Sequence, residues 1–300
     1  MTESDVLDQK AVAAAKGHMN AVAWPTVMLG IVVVFVYVVT VALTLLGVLS
    51  LWVAVPITAV LTYASYTVAH DSIHGSISGN DPSFKWLNRA MGYLAAWILM
   101  IPLTAHRHEH MDHHRHTNNP EKDPDHPVAG MRGSVVGAVK AAIQIVYGQF
   151  SHYSRYRWRQ APARQKVVLF MEILAAAVPR VAVFASGFWL EGLLLFGLAW
   201  LTGVMGLLYL FAYIVHRPHD QVGRYVDTST IVLKGPFGPL LTWLWCFQNY
   251  HTIHHLFPRV PFYRYARLYD EIEEILVAKG TPIYQVTARG LQSSPEGLAT

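Results

Sequence analysis

Charge is scarce in this chain. Only 14% of its 300 residues are Asp, Glu, Lys or Arg, whereas a soluble domain carries about 25%, so there is too little charge to coat a water-facing surface. Cysteine is scarcer still. Cys246 stands alone, which excludes a disulfide framework and any zinc or iron–sulfur site built on several thiolates. A formal charge of +4 gives no basis for nucleic-acid binding. The segment from Met1 to Ala23 is polar and mixed, without the short apolar core and small-residue cleavage site of a signal peptide. No internal repeat or low-complexity tract marks a second domain.

Apolar residues and histidine are what the chain has in excess: 53% hydrophobic residues and sixteen histidines. The apolar residues come in runs. Trp24 to Leu46 and Leu51 to Ala69 are each long enough for a span of about 20 residues, as are Val167 to Trp189 and Leu193 to Val215. The first two and the last two read as helical hairpins. Arg180, inside the third run, would cost at least about 2.5 kcal/mol at a bilayer centre, which places it at a turn, an interface or a protein-buried site. Gly92 to Ala105 is too short to span and reads as re-entrant or interfacial. Trp24, Trp52 and Tyr213 fall where an interfacial aromatic belt belongs.

Of the twenty-three Lys and Arg residues, all but Arg180 fall on one side of these hairpins. The positive-inside rule makes that side cytoplasmic, with both termini on it. The basic run from Tyr153 to Lys166 suits a helix lying on the anionic leaflet. The expected fold is an all-α integral membrane protein of about four spans, plus one short re-entrant or interfacial helix and a cytoplasmic histidine-rich cap. Residues 1–23 form a cytoplasmic segment and 24–300 one membrane domain, in a membrane such as the bacterial inner membrane.

Thirteen of the histidines gather in three clusters and one pair: His70 and His74, six between His106 and His116, His251 with His254 and His255, and the pair His216 and His219. Side chains three and four apart share a helix face. His70 converges with His74, His110 with His113 and His114, and His251 with His254 and His255. Each cluster emerges at the cytoplasmic end of an apolar segment. Eight or nine imidazoles exceed what one ion can use, so two ions are expected. Iron with open positions for dioxygen suits an all-nitrogen dinuclear site, and copper and zinc accept the same ligands. Asp71, Asp112, Asp123 and Asp125 are placed to orient imidazole rings. His18, His126 and His152 read as structural.

The segments HDSIH, HMDHH followed by TNNPEKDPDH, and NYHTIHHLFPRVPFYRY resemble the three histidine boxes of the membrane fatty acid desaturase family. The likeness runs from about Tyr63 to Tyr265. HRPH at His216 to His219, with the last box, is similar to the β-carotene hydroxylase branch of that superfamily. The resemblance implies two non-heme irons held by His70, His74, His110, His113, His114, His251, His254 and His255. His216 would be the ninth ligand, from between the second and third boxes, although sequence does not separate it from His219. His106, His108 and His116 are extra to the family pattern. The resemblance further implies O2-dependent attack on a C–H bond of a long hydrophobic lipid, first as fatty acid desaturation, alternatively as carotenoid ring hydroxylation. No cytochrome b5 haem motif is present, so electrons are expected from a separate ferredoxin or cytochrome b5-like donor. A His-rich metal transporter is the remote alternative. It needs ionisable ligands within the spans, and these spans have almost none.

Overall fold

A computed structural model describes residues 2–287 and 290–293; the last seven residues of the expected 24–300 domain lie outside the described residues. Among the described residues, four helices are long and apolar enough to cross a membrane. They are α2 (Trp24–Leu45), α3 (Leu51–His74), α7 (Ala163–Ala185) and α8 (Trp189–Tyr213). The spans foreseen in the sequence are therefore present, with the second continuing through the first histidine box.

Helix α3 lies at the centre, packed against α2, α8 and the short helix α4 (Lys85–Leu99). Its contact faces are made of small residues, including Ala54, Thr58, Ala59, Thr62 and Ser65, which let backbones approach closely. Gly203 of α8 meets this surface, where an added Cβ would lie 2.7 Å from the Ala59 carbonyl oxygen. The hydroxyls of Thr58 and Thr62 donate to carbonyls one turn back, at 2.7 and 2.9 Å, so they carry no unsatisfied donor into the membrane.

Three sequence expectations are corrected here. The segment Gly92 to Ala105 is not one element: α4 ends at Leu99, Met100 takes a left-handed conformation (φ 57°), and a new helix, α5 (Leu103–His116), starts after Pro102. Nor is the basic run one surface helix. It comprises the end of α6 (Val135–Tyr156), a turn, and the first residues of α7. In both places a proline precedes the new helix and ends the earlier reading. Tyr213 is also buried rather than interfacial, with its ring stacked on His219 at 5.1 Å.

Arg180 lies inside α7 and is that helix's one buried residue. Its guanidinium donates to the carbonyls of Ala176 (2.6 Å) and Trp97 (2.9 Å) and lies over the rings of Trp97 and Phe196. Backbone carbonyls thus substitute for a counter-ion. Glu172, two turns earlier, has a more specific task. Helix α5 begins at Pro102 without a side-chain cap, and Glu172 accepts from Thr104 N (3.1 Å) and Thr104 Oγ1 (2.8 Å). A carboxylate in the third span therefore caps the helix that carries the second histidine box.

Beyond the spans, α1 (Glu3–His18) packs on α11 (Tyr265–Ala278), with Ala11, Ala15, Tyr265 and Leu268 in one core. Short helices α9 (Gly238–Leu244) and α10 (His251–Leu256) lie between α8 and α11 in sequence. A small sheet was not foreseen: β1 (Thr230–Val232) pairs in parallel with β2 (Ile283–Thr287), and β2 antiparallel with β3 (Gly290–Ser293).

Candidate metal centre

Four elements bring the histidines together. His70 and His74 end α3, α5 supplies His110, His113 and His114, His216 follows α8, and α10 supplies His251, His254 and His255. Asp71 ties the layers together. Its carboxylate accepts from Thr26 Oγ1 at the start of α2 (2.8 Å) and from Phe262 N after the third box (3.4 Å).

The imidazole nitrogens fall into two groups. His70, His74, His110, His114 and His254 form one, and His113, His216 and His255 the other; within each, the candidate ligand atoms lie within 4.8 Å of one another. His251 is outside both by that measure, but its ring lies 4.7 Å from His216 and 4.8 Å from His255. His216 is thus in a group. His219 is not, since it stacks on Tyr213 instead.

Several contacts have no explanation as hydrogen bonds. His216 Nδ1 donates to the Ala212 carbonyl (2.6 Å), and His113 Nδ1 donates to Asp123 Oδ1 (2.8 Å). With both rings neutral, as ligands must be, those bonds leave bare lone pairs on the two Nε2 atoms, which lie 3.1 Å apart. In the other group, Nε2 of His110 lies 2.8 Å from that of His74 and 3.2 Å from that of His114, which is 2.9 Å from Nε2 of His254. Both nitrogens of His70, Nδ1 of His110 and of His251, and Nε2 of His255 are buried without a partner. Buried polar atoms normally have one. Two nitrogens each about 2.1 Å from a transition-metal ion and at right angles to it lie about 3.0 Å apart, which matches these contacts. The residues fit a metal in each group.

Electrostatics point the same way. Burial, and then the neighbouring imidazoles, push His110, His114, His251, His254 and His255 well below the usual histidine range, and burial takes His216 down to about 3. They are neutral, as ligation requires. His113 differs. Burial opposes its charge, but Asp123, then Asp125 and Asp227, carry it up to about 9. A proton there occupies the place of a cation facing His216.

Of the four aspartates expected to orient rings, Asp123 does so and Asp125 lies 3.7 Å from His113. Asp71 and Asp112 do not: the first makes the ties above, and the second binds His152, Arg115 and Arg157. Sequence reasoning missed other partners. Tyr265 OH lies 3.1 Å from His254 Nδ1, and Asn118 N donates to Asp123 Oδ2 at 2.8 Å. Glu109, buried on α5 beside His106 (3.8 Å), was also passed over. His106 reaches Gln149 (2.5 Å), His108 reaches Gln165 (2.8 Å), and His116 enters neither group. His18 pairs with Glu271 and His152 with Asp112, while His126 lines a small neighbouring void.

A cavity opens against both groups. Leu99, Trp200, Val204, Leu207 and Phe211 line its apolar length, and His110, His113, His216 and His251 line its polar end. Its void totals about 840 Å³ including the mouth, and little of it is wide enough for a water molecule. It is a slit rather than a chamber.

Residues 46–287 match the profile of the fatty acid desaturases. The chain belongs to the fatty acid desaturase family. It is 26% identical over 241 residues to the sn-1 acyl-lipid omega-3 desaturase (ferredoxin) of Synechocystis sp., covering 72% of this chain and 65% of that protein. Its identity to the beta-carotene ketolase of Paracoccus sp. is 30% over 243 residues, covering 73% and 84% respectively. A Delta(9) fatty acid conjugase-like enzyme of Dimorphotheca sinuata is 24% identical over 275 residues, covering 76% and 70%. The chain thus spans about two thirds of the length of the desaturase and conjugase relatives and more of the ketolase. These are oxidoreductases acting with O2, and the chain is an integral membrane enzyme of that class.

Proposed function

We propose that this desaturase-family enzyme introduces a double bond into an acyl chain of a lipid. The observation that carries the reading is the apolar slit ending on the histidines. A polymethylene chain is the narrowest segment a lipid offers, and a slit suits it better than a methyl-substituted ring. Two irons would be held, one by His70, His74, His110, His114 and His254, the other by His113, His216, His251 and His255. When bound, they supply O2 activation and the oxidising power to break an unactivated C–H bond. The protein's own contribution is positional. Asp123 and the Ala212 carbonyl fix two ring tautomers, and the apolar slit orients the chain and excludes water. Two neighbouring methylenes lose one hydrogen each. O2 leaves as two waters, which requires two further electrons and two protons. A separate donor, ferredoxin or a cytochrome b5-like protein, delivers the electrons; the Synechocystis relative is named for ferredoxin. The charge distribution supports a cytoplasmic site, with both termini on that side.

Carotenoid ring oxidation is the second reading. It is favoured by the ketolase relative, whose identity of 30% extends over 84% of its length. The two separate by product. With the full chain expressed in a β-carotene-producing bacterial host, mass spectrometry is expected to find fatty acids two mass units lighter and unchanged pigment. Oxygenated pigment with unchanged acyl chains would establish the second reading and overturn the first.

A further inference from the structure

A second cavity, about 360 Å³, lies on the other flank of α5. Leu103, Thr104, Arg107 and His108 face it, a different stripe of the helix from His106, His110 and His113, which face the slit. Three exposed arginines from three helices line it: Arg89 of α4, Arg107 of α5 and Arg164 of α7. No carboxylate among the described residues lines the cavity. Among the described residues, the ion pairs of arginine and lysine involve Arg115, Arg157, Arg267 and Lys279, and none of these three. Glu172, close enough to act on Tyr93 alongside all three, is already engaged by Thr104. Three cations facing one space repel one another unless an anion sits among them.

The position narrows the anion. The cavity lies where the span α3 ends and the span α7 begins, and α7 starts at Pro162 with no side-chain cap on its first N–H groups, which adds partial positive charge. Ile73, Leu103 and Val168 add apolar surface to its wall. Close by in sequence, Trp86 and Val167 are each 61% exposed, as lipid-facing residues are. Arginines together with apolar wall residues at the end of a span suit a phosphate that continues into glycerol and acyl chains. A free phosphate would leave the apolar residues uncovered.

We propose that this cavity is a binding site for the headgroup of an anionic phospholipid, distinct from the substrate slit. The three guanidinium groups hold the phosphate, and the lipid clamps α4, α5 and α7 together, bracing the helix that carries the second histidine box.

Native mass spectrometry of the full chain, exchanged from detergent into phosphatidylglycerol or phosphatidylcholine, tests this. One tightly held phosphatidylglycerol is expected, with weak retention of the zwitterionic lipid. Arg89→Gln with Arg164→Gln should weaken retention by about tenfold or more. Arg267→Gln, on an exposed turn of α11, should leave it unchanged. The melting transition without added lipid confirms that each variant is folded, and the single substitutions serve if the pair is not. Undiminished retention in the folded arginine variants, or equal retention of phosphatidylcholine, would overturn the proposal. Displacement of the lipid by millimolar inorganic phosphate would identify a soluble-phosphate site and overturn it equally.

Discussion

Alanine at His110 or His254 is expected to lower turnover by more than about 100-fold and to remove iron from the purified enzyme. Loss of a residue that merely orients a metal ligand already costs about 10–100-fold, and these two are proposed as ligands themselves. His110 Nε2 sits between those of His74 and His114, at 2.8 and 3.2 Å, and His254 Nε2 is 2.9 Å from that of His114. Removing either ring opens one group from its middle. The comparison that gives the experiment its meaning is with His18 and His152. His18 is buried and His152 partly buried, yet each is bound to a carboxylate away from the groups. Alanine there should leave iron content near the parent value. The pair His216 and His219 offers a sharper version, because only His216 enters a group. His216→Ala should lose iron and His219→Ala should keep it. Iron retained in His110→Ala and His254→Ala, with normal turnover, would remove the ligand assignment.

Asp123→Asn should cost about 10–100-fold in iron affinity or turnover, with the fold intact. Asp123 touches no proposed metal position. It accepts from His113 Nδ1 at 2.8 Å, from Asn118 N at 2.8 Å and from Asp125 N at 2.9 Å. Its charge helps carry His113 up to about 9 against the opposing effect of burial, and the same attraction holds the Asp123 carboxyl below its usual range despite burial. The amide keeps the shape but removes the charge, so the His113 ring becomes a weaker base and less firmly oriented. The amide nitrogen also faces one donor in place of Oδ2, or two in place of Oδ1, where an oxygen accepted. Competition with a calibrated chelator measures the affinity. An unchanged affinity would show that Asp123 serves the loop from Asn118 to Asp125 rather than the centre.

Much of this arrangement is legible in the sequence because its signals are local. Runs of about twenty apolar residues mark the spans, and histidines at three- and four-residue spacing mark the faces that converge. The break within Gly92 to Ala105 is harder to see, since Met100 adopts a left-handed turn without the glycine that would announce one. What stays hidden depends on residues far apart. Tyr265 meets His254 only because the chain turns back after Phe257. Glu172 caps α5 from another span 68 residues away. Asp71 and Asp112 stand beside histidines in sequence, but their side chains point to Thr26 and Arg157. Neighbourhood along the chain was a poor guide to which carboxylate orients a ring. The strands β1 and β2 are likewise brought together from about fifty residues apart, with no hairpin signal between them.

The metal content decides whether the histidines hold two irons. Full-length enzyme, expressed with iron and purified without chelators, can be measured by elemental mass spectrometry and Mössbauer spectroscopy. Two irons per chain, magnetically coupled as one pair and lost in His110→Ala and His113→Ala, are the expected result. A single uncoupled iron, or zinc or copper in an active enzyme, would contradict it.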